Sequence, residues 1–183
     1  MIRALVVFNS RRARRGSEPI EIGIGLATGE VLAGSVGASK RMEYTAIGNN
    51  VNLAARLESA NKYYGTAVLL AAATVDELTS RAVLRRLDLV QSKGISQPTW
   101  VYESLGHHTR ASFPKLTRVI KAYEAGVDCY QRRDWQGGLG HFGAALELAP
   151  QDRPSRIFYD RCRYYQTSAP DETWDGVWIM QEK

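Results

Sequence analysis

The stretch YTAIGNNVNLAARLESANKYYG, residues 44–65, changes character at its paired asparagines. Up to them, MEYTAI reads as a short strand. After them the spacing is helical: Val51, Ala54, Ala55 and Glu58 share one face, and Asn49, Asn52, Arg56 and Ser59 share another. A strand therefore hands over to a helix through Gly48-Asn49-Asn50. That helix places Asn52 and Arg56 one turn apart on one face, close to its start. Taken singly, an Asn or an Arg on such a face is ordinary solvated surface, so the pair takes its meaning from the rest of the chain.

Upstream, MIRALVVFNSRRARR predicts a helix with Leu5 and Phe8 inward and arginines on its outer end, closed by Gly16. PIEIGIGLATGEVLAGSVG predicts two strands, residues 20–27 and 30–37, around a Thr28-Gly29 turn. Its glycines are too many for stiff strands and mark places where another backbone or a ligand comes close. Downstream, TAVLLA reads as a strand and TVDELTSRA as a short helix. LRRLDLVQSKG and PTWVYESL then pair as a hairpin around a turn at 94–98, with Lys93 serving turn chemistry. Short turns join several neighbouring strands, which argues for an α+β fold with a largely antiparallel sheet over a doubly wound one.

From His107 the pattern changes. Residues 107–114 read as a linker in which His107 and His108 have no third ligand, and residues 115–183 as a small all-α extension. KAYEAGVDCYQRRDWQGGLGHFGAALELAPQDRP resembles one tetratricopeptide-like helix pair: Ala125-Gly126 at the small-residue crossing, Phe142 and Ala145 in the second helix, Pro150 closing the unit. Cys129 and Gly138 stand where an aromatic residue and an alanine are expected. SRIFYDRCRYYQ supplies a third helix. One such unit cannot bury its own faces, so it must lean on a neighbouring helix or on the first part of the chain.

Composition bounds the function. A net charge of +5 allows an anionic ligand, but much of the excess sits in Arg11, Arg12, Arg14 and Arg15, with no base-reading or stacking module around them; no nucleic-acid partner is expected. The longest apolar run, AVLLAAA, falls well short of the ~20 residues needed to cross a bilayer, and the N-terminal apolar stretch precedes its arginines, the reverse of a signal peptide. Cys129 and Cys162 make neither a disulfide framework nor a metal cluster, so a cytoplasmic location is expected. GSVGASK superficially suggests a phosphate loop, but its spacing fails that pattern. Glu30 reads as an exposed polar position.

The ordered combination of IEIGIGLATGEVLAGSVG, YTAIGNNVNLAAR and KGISQPTWVYESL resembles the second half of a class III adenylate or guanylate cyclase catalytic domain, over roughly the first 105 residues. The resemblance implies a truncated ferredoxin-like nucleotide cyclase domain at 1–106, converting ATP to cyclic AMP and pyrophosphate. It implies that Arg56 faces the phosphoryl charge of the transition state and that Asn52 holds the ribose. Thr45 falls at the purine reader's position, where a hydroxyl that both donates and accepts favours adenine over guanine. Family members bind Mg²⁺ or Mn²⁺ through two aspartates in a context like F-x-D-x-x-G-F. No such segment occurs here, and Asp76, Asp88, Asp128, Asp134, Asp152, Asp160, Asp171 and Asp175 all stand in other contexts, so metal ligands are expected to be absent. The lysine that accompanies the purine reader is absent too.

The first half of such a domain, with its metal site, thus reads as missing, which would leave an apolar edge and face exposed. The expectation is a homo- or heterodimer with a cyclase domain that supplies the metal carboxylates, and a possible protein partner on the helical extension. The alternatives are a non-catalytic nucleotide- or protein-binding module and the truncated product of a full cyclase gene.

Overall fold

The computed structural model describes residues 1–38, 41–92 and 97–180. In chain order it contains helix α1 (Ile2–Ala13), strands β1 (Ile24–Leu26), β2 (Leu32–Ala38) and β3 (Arg41–Ile47), helix α2 (Asn49–Tyr64), strand β4 (Val68–Ala71) and helix α3 (Ala72–Asp76). Strands β5 (Leu84–Ser92) and β6 (Thr99–Ser104) follow, then helices α4 (Leu116–Gln131), α5 (Trp135–Leu148) and α6 (Arg153–Thr167) and strand β7 (Trp178–Met180). The strands make a five-stranded sheet, β1-β4-β6-β5-β7, and a separate two-stranded ribbon, β2-β3. Pairing is antiparallel at β4–β6, β5–β6 and β2–β3, and parallel at β1–β4 and β5–β7. The α+β class with a largely antiparallel sheet is borne out.

The hairpin expected between β1 and β2 does not form. β1 pairs with β4, reached by a crossover through α2 that brings the two strands side by side in parallel. β2 instead takes β3 as its partner, from Leu32 opposite Ile47 to Ala38 opposite Arg41. The Lys93 and Gly94 turn and the end of the GSVGASK run lie outside the described residues.

The handover from β3 to α2 falls where the sequence puts it, and the face that the helix buries is a third one. Leu53, Leu57, Ala60 and Tyr64 are buried, at the i, i+4, i+7, i+11 spacing of one stripe, while Val51, Ala55 and Glu58 are exposed. Two leucines and a tyrosine remove more apolar surface from water than Val51 and the alanines beside it would. α1 also departs from expectation. It has no buried residue, and Val6, Val7 and Phe8 are exposed, because nothing described packs against that side. Exposed apolar residues gather on the ribbon as well, with Leu32 at 74% and Tyr44 at 79% accessible, joined by Val36, Met42 and Ile47.

α4, α5 and α6 pack into the same core as the sheet. Tyr123, Val127, Tyr130, Phe142, Phe158 and Cys162 share one buried cluster with Leu57, Leu69, Leu87 and Val101. Tyr123 Oη donates to Leu87 O at 2.9 Å, so a buried tyrosine of α4 is satisfied by the backbone of β5. A Cβ on Gly126 would stand 2.7 Å from the Phe142 ring, and one on Gly138 2.7 Å from Cys162 Sγ. The helix crossings therefore demand glycine at both positions, including the one where alanine was expected.

The last described element is a strand, not a helix. Arg133, in the left-handed region at φ 61°, donates from Nη2 to the carbonyls of Asp171, Glu172 and Trp174 at 2.9, 2.9 and 2.7 Å. This clamp directs the chain onto the sheet, where Trp178 pairs with Val90 as β7. The segment expected as a linker closes on itself, with Thr109 N donating to Ser112 Oγ at 2.9 Å and Phe113 N to Thr109 O at 2.9 Å. Among the described residues no helix is long and apolar enough to cross a membrane.

Both cysteines are free and buried. Burial pushes the Cys162 thiol up to about 12 and raises that of Cys129. At pH 8 roughly one part in ten thousand of such a thiol is ionised, and the thiolate is the nucleophile. The native chain should leave Ellman's reagent unreacted on the timescale on which the urea-unfolded chain releases two equivalents. Fast native labelling would show that the α4–α6 core opens freely.

Candidate active site

β1 and the middle of α2 lie in direct contact. A Cβ on Gly25 would stand 2.5 Å from Glu58 N and 2.9 Å from Leu57 Cβ, and a Cβ on Gly23 2.8 Å from Glu58 O. The glycines that sequence reading marked as close approaches thus admit the backbone of α2. Asn61, buried on α2, completes the junction. Its Nδ2 donates to Ile24 O and Leu57 O, each at 3.0 Å, and its Oδ1 accepts from Thr66 Oγ1 at 2.8 Å. The helix that carries Asn52 and Arg56 is held against the sheet by backbone packing and by an amide with both ends satisfied.

The start of α2 is shaped by Gly48, at φ 155° and ψ 170°, a region essentially closed to side-chain-bearing residues. No side chain caps this end; Gly48 O accepts from Asn52 N at 3.2 Å. Asn50 turns away from the helix and donates through Nδ2 to Glu30 O at 3.1 Å, with Gly29 packed against its amide. Asn50 therefore ties the chain before β2 to the helix start, a role the Gly-Asn-Asn signature did not separate from that of Asn49. Glu30 is exposed, as read, and takes part through its carbonyl.

Asn52 is exposed and Arg56 half-buried, one turn apart on α2. The structure brings this pair together on the side of the helix away from the Leu53 and Leu57 stripe. Thr45 is placed on the ribbon, not on the helix, exposed and opposite Gly34, where an added Cβ would meet nothing within 4 Å. The strand register leaves room beside the Thr45 hydroxyl.

Most of the aspartates are engaged elsewhere. Asp88 accepts from Tyr64 Oη at 2.6 Å and pairs with Arg161 at 2.8 Å; Asp152 pairs with Arg85 and caps α6 through Ser155 N. Asp134 caps α5, Asp128 pairs with Arg86, and Asp160 with Arg163. Asp171 and Asp175 accept from the backbone of Thr173 and Val177 in their own turns, and Asp76 ends α3. Among the described residues no group of three or more His, Cys, Asp or Glu could hold a metal ion. The donors among the described residues do not fit a Mg²⁺ or Mn²⁺ site.

Comparison with known proteins bears on what this arrangement does. Residues 1–103 match the family described as the adenylate and guanylate cyclase catalytic domain. The terminal-differentiation-specific adenylate cyclase of Dictyostelium discoideum is 32% identical over 146 residues, covering 78% of this chain and 7% of that protein. Adenylate cyclase 1 of Rhizobium meliloti is 37% identical over 123 residues, covering 67% of this chain and 17% of that protein. The crystal structure of the guanylyl cyclase Cya2 aligns at 33% identity over 56% of this chain and 51% of that one, with a TM-score of 0.49. The chain spans less than a quarter of the length of either curated relative. With a family match that takes in more than half of its residues, the chain belongs to the adenylate and guanylate cyclase catalytic-domain family.

Proposed function

We propose that this chain supplies one side of a composite site that converts ATP to cyclic AMP and pyrophosphate, within an assembly whose partner cyclase domain provides the carboxylates for Mg²⁺ or Mn²⁺. The observation that carries this reading is the pair of exposed Asn52 and half-buried Arg56, one turn apart on α2, a helix fixed to β1 by glycine contacts. In the reaction the ribose 3′-oxygen forms a bond to the α-phosphorus, the bond from that phosphorus to the bridging oxygen of the β-phosphate breaks, and the hydroxyl proton passes to solvent. Asn52 holds the ribose for in-line attack. Arg56 presents planar donors to the phosphoryl oxygens as charge builds on them. Thr45 reads the purine edge, with ATP preferred over GTP.

The same reading divides the chain into a cyclase part at 1–106, a connection at 107–114 and a tetratricopeptide-like helical part at 115–183 that offers a protein-binding surface. Its support is the end of the family match at residue 103 and the glycine-mediated crossing of α4 and α5. The Dictyostelium alignment, at 78% of this chain, runs beyond residue 103 into these helices.

The test is complementation. A full-length cyclase whose own Asn and Arg equivalents are replaced, but whose metal carboxylates are intact, should regain cyclic AMP synthesis when mixed with this chain. Arg56→Ala should then lower turnover roughly tenfold to a thousandfold, as loss of one preorganised donor does. Thr45→Ala should chiefly blur ATP against GTP. Association without rescue would remove the catalytic reading and leave a non-catalytic module, the alternative favoured by the structural commitment of its aspartates. Rescue indifferent to Arg56→Ala would show that the role is wrongly assigned.

A further inference from the structure

The last turn of α2 is gripped from the far end of the chain. Tyr64 donates to Asp88 Oδ2 at 2.6 Å, and Arg161 of α6 donates to the same oxygen from Nη1 at 2.8 Å and to Tyr63 Oη from Nη2 at 3.3 Å. The Arg161 guanidinium lies 4.0 Å from the Trp178 ring centroid and 4.7 Å from that of Phe158; Tyr63 stacks on Trp178 at 5.5 Å. Its Nε is buried without a hydrogen-bond partner, so the group is held by two charge-assisted contacts and by aromatic faces. Gly65, the left-handed cap of α2 at φ 70°, takes the side chain of Arg153 from the first residue of α6 against it. A bulge in β5 makes this possible. Arg86 faces Tyr102 and Asp88 faces Val101, so Leu87 is the extra residue and both Leu87 and Asp88 turn inward.

We infer that Arg161 is a positioning residue for α2, through which the helical part of the chain sets the placement of Asn52 and Arg56. This rests on the catalytic reading above. β1 holds α2 along one side by backbone packing and the Asn61 amide; Arg161 fixes its end through ionic and aromatic contacts that resist both rotation and sliding. The ribbon carrying Thr45 receives none of these contacts, so loss of Arg161 should disturb phosphoryl-facing groups and spare base selection.

The experiment compares the parent chain with Asp88→Asn/Arg161→Met, which removes both charges and leaves neither buried alone, and with Arg161→Lys, which keeps the charge and loses the planar fork. Amide hydrogen exchange needs no activity. In the double variant the α2 amides should exchange about tenfold faster while those of α5 hold their rates. In the mixed assay described above, kcat should fall about tenfold to a hundredfold with KM for ATP and the ATP/GTP preference unchanged. Arg161→Lys should recover only part of both. Equal acceleration across α2, α5 and the sheet would reduce Arg161 to a general stability role, and unchanged α2 exchange would overturn the proposal. If the parent chain fails to complement, the catalytic reading falls, and the exchange data alone decide whether Arg161 holds α2.

Discussion

Arg85→Met should destabilise the chain by about 3–5 kcal/mol, because it strands two carboxylates in the interior. Arg85 is 1% accessible. Its Nε donates to Glu103 Oε2 at 2.9 Å and its Nη1 to both oxygens of Asp152 at 2.9 and 2.8 Å, while Nη2 pairs with Glu103. The guanidinium also lies 4.6 Å from the centre of the Tyr123 ring. Burial works against the charge of Arg85, yet Glu103 and Asp152 hold its pKa above the ordinary value; burial pushes the Glu103 carboxyl up, opposed by Arg85. Without the arginine that opposition goes, and the folded variant binds protons more tightly than its unfolded chain. A carboxyl raised in the folded state contributes stability that is fully present below its unfolded pKa and is lost as pH rises through its folded pKa. The gap between variant and parent should therefore narrow as pH falls from 7 toward 5. Urea unfolding at the two pH values measures this. A variant within 1 kcal/mol of the parent at pH 7, or a gap that widens in acid, would contradict the ion-pair account.

Gly25→Ala should cost about 3 kcal/mol or more, an unusually large effect for one methyl group. The added carbon would meet the backbone of α2, which cannot rotate aside as a side chain can, so the helix must lift from β1. Gly34→Ala is the control. Its methyl would meet nothing within 4 Å, and a strand alanine loses less chain entropy than glycine, so stability should hold or rise slightly. Near-equal midpoints for the two variants would mean that β1 and α2 are not in the contact described.

Local signals carried much of the fold. The Gly-Asn-Asn handover, the β5–β6 hairpin and the three C-terminal helices were legible because each is written in contiguous spacing, cap and turn residues. Strand partnership was not. PIEIGIGLATGEVLAGSVG contains a good turn, and only the crossover through α2, tens of residues on, diverts β1 to β4 and frees β2 for β3. The interior charges were equally hidden. Arg85, Glu103 and Asp152 look like surface residues in sequence, and their pairing spans elements that no local period connects. Of the candidate site, Asn52 and Arg56 could be read because helix spacing fixes their common face. The burying stripe of α2 was not legible, because small residues near its start fit a helical face as well as the leucines that win on area. Asn50 and Asn61, which brace the helix, differ from ordinary helix-face asparagines only in what lies opposite them.

The pairing of Trp178 with Val90 also has a kinetic meaning. β5 leaves the ribosome long before β7, an interval of roughly ten seconds at common synthesis rates. Throughout it β5 has an open edge, and Asp88 waits for Arg161 and Arg85 for Asp152. Contacts of such long sequence separation close late and slowly. The nascent chain thus passes through a stage with a bare strand edge and unpaired interior charges, the state that chaperones recognise and that aggregates when they are scarce.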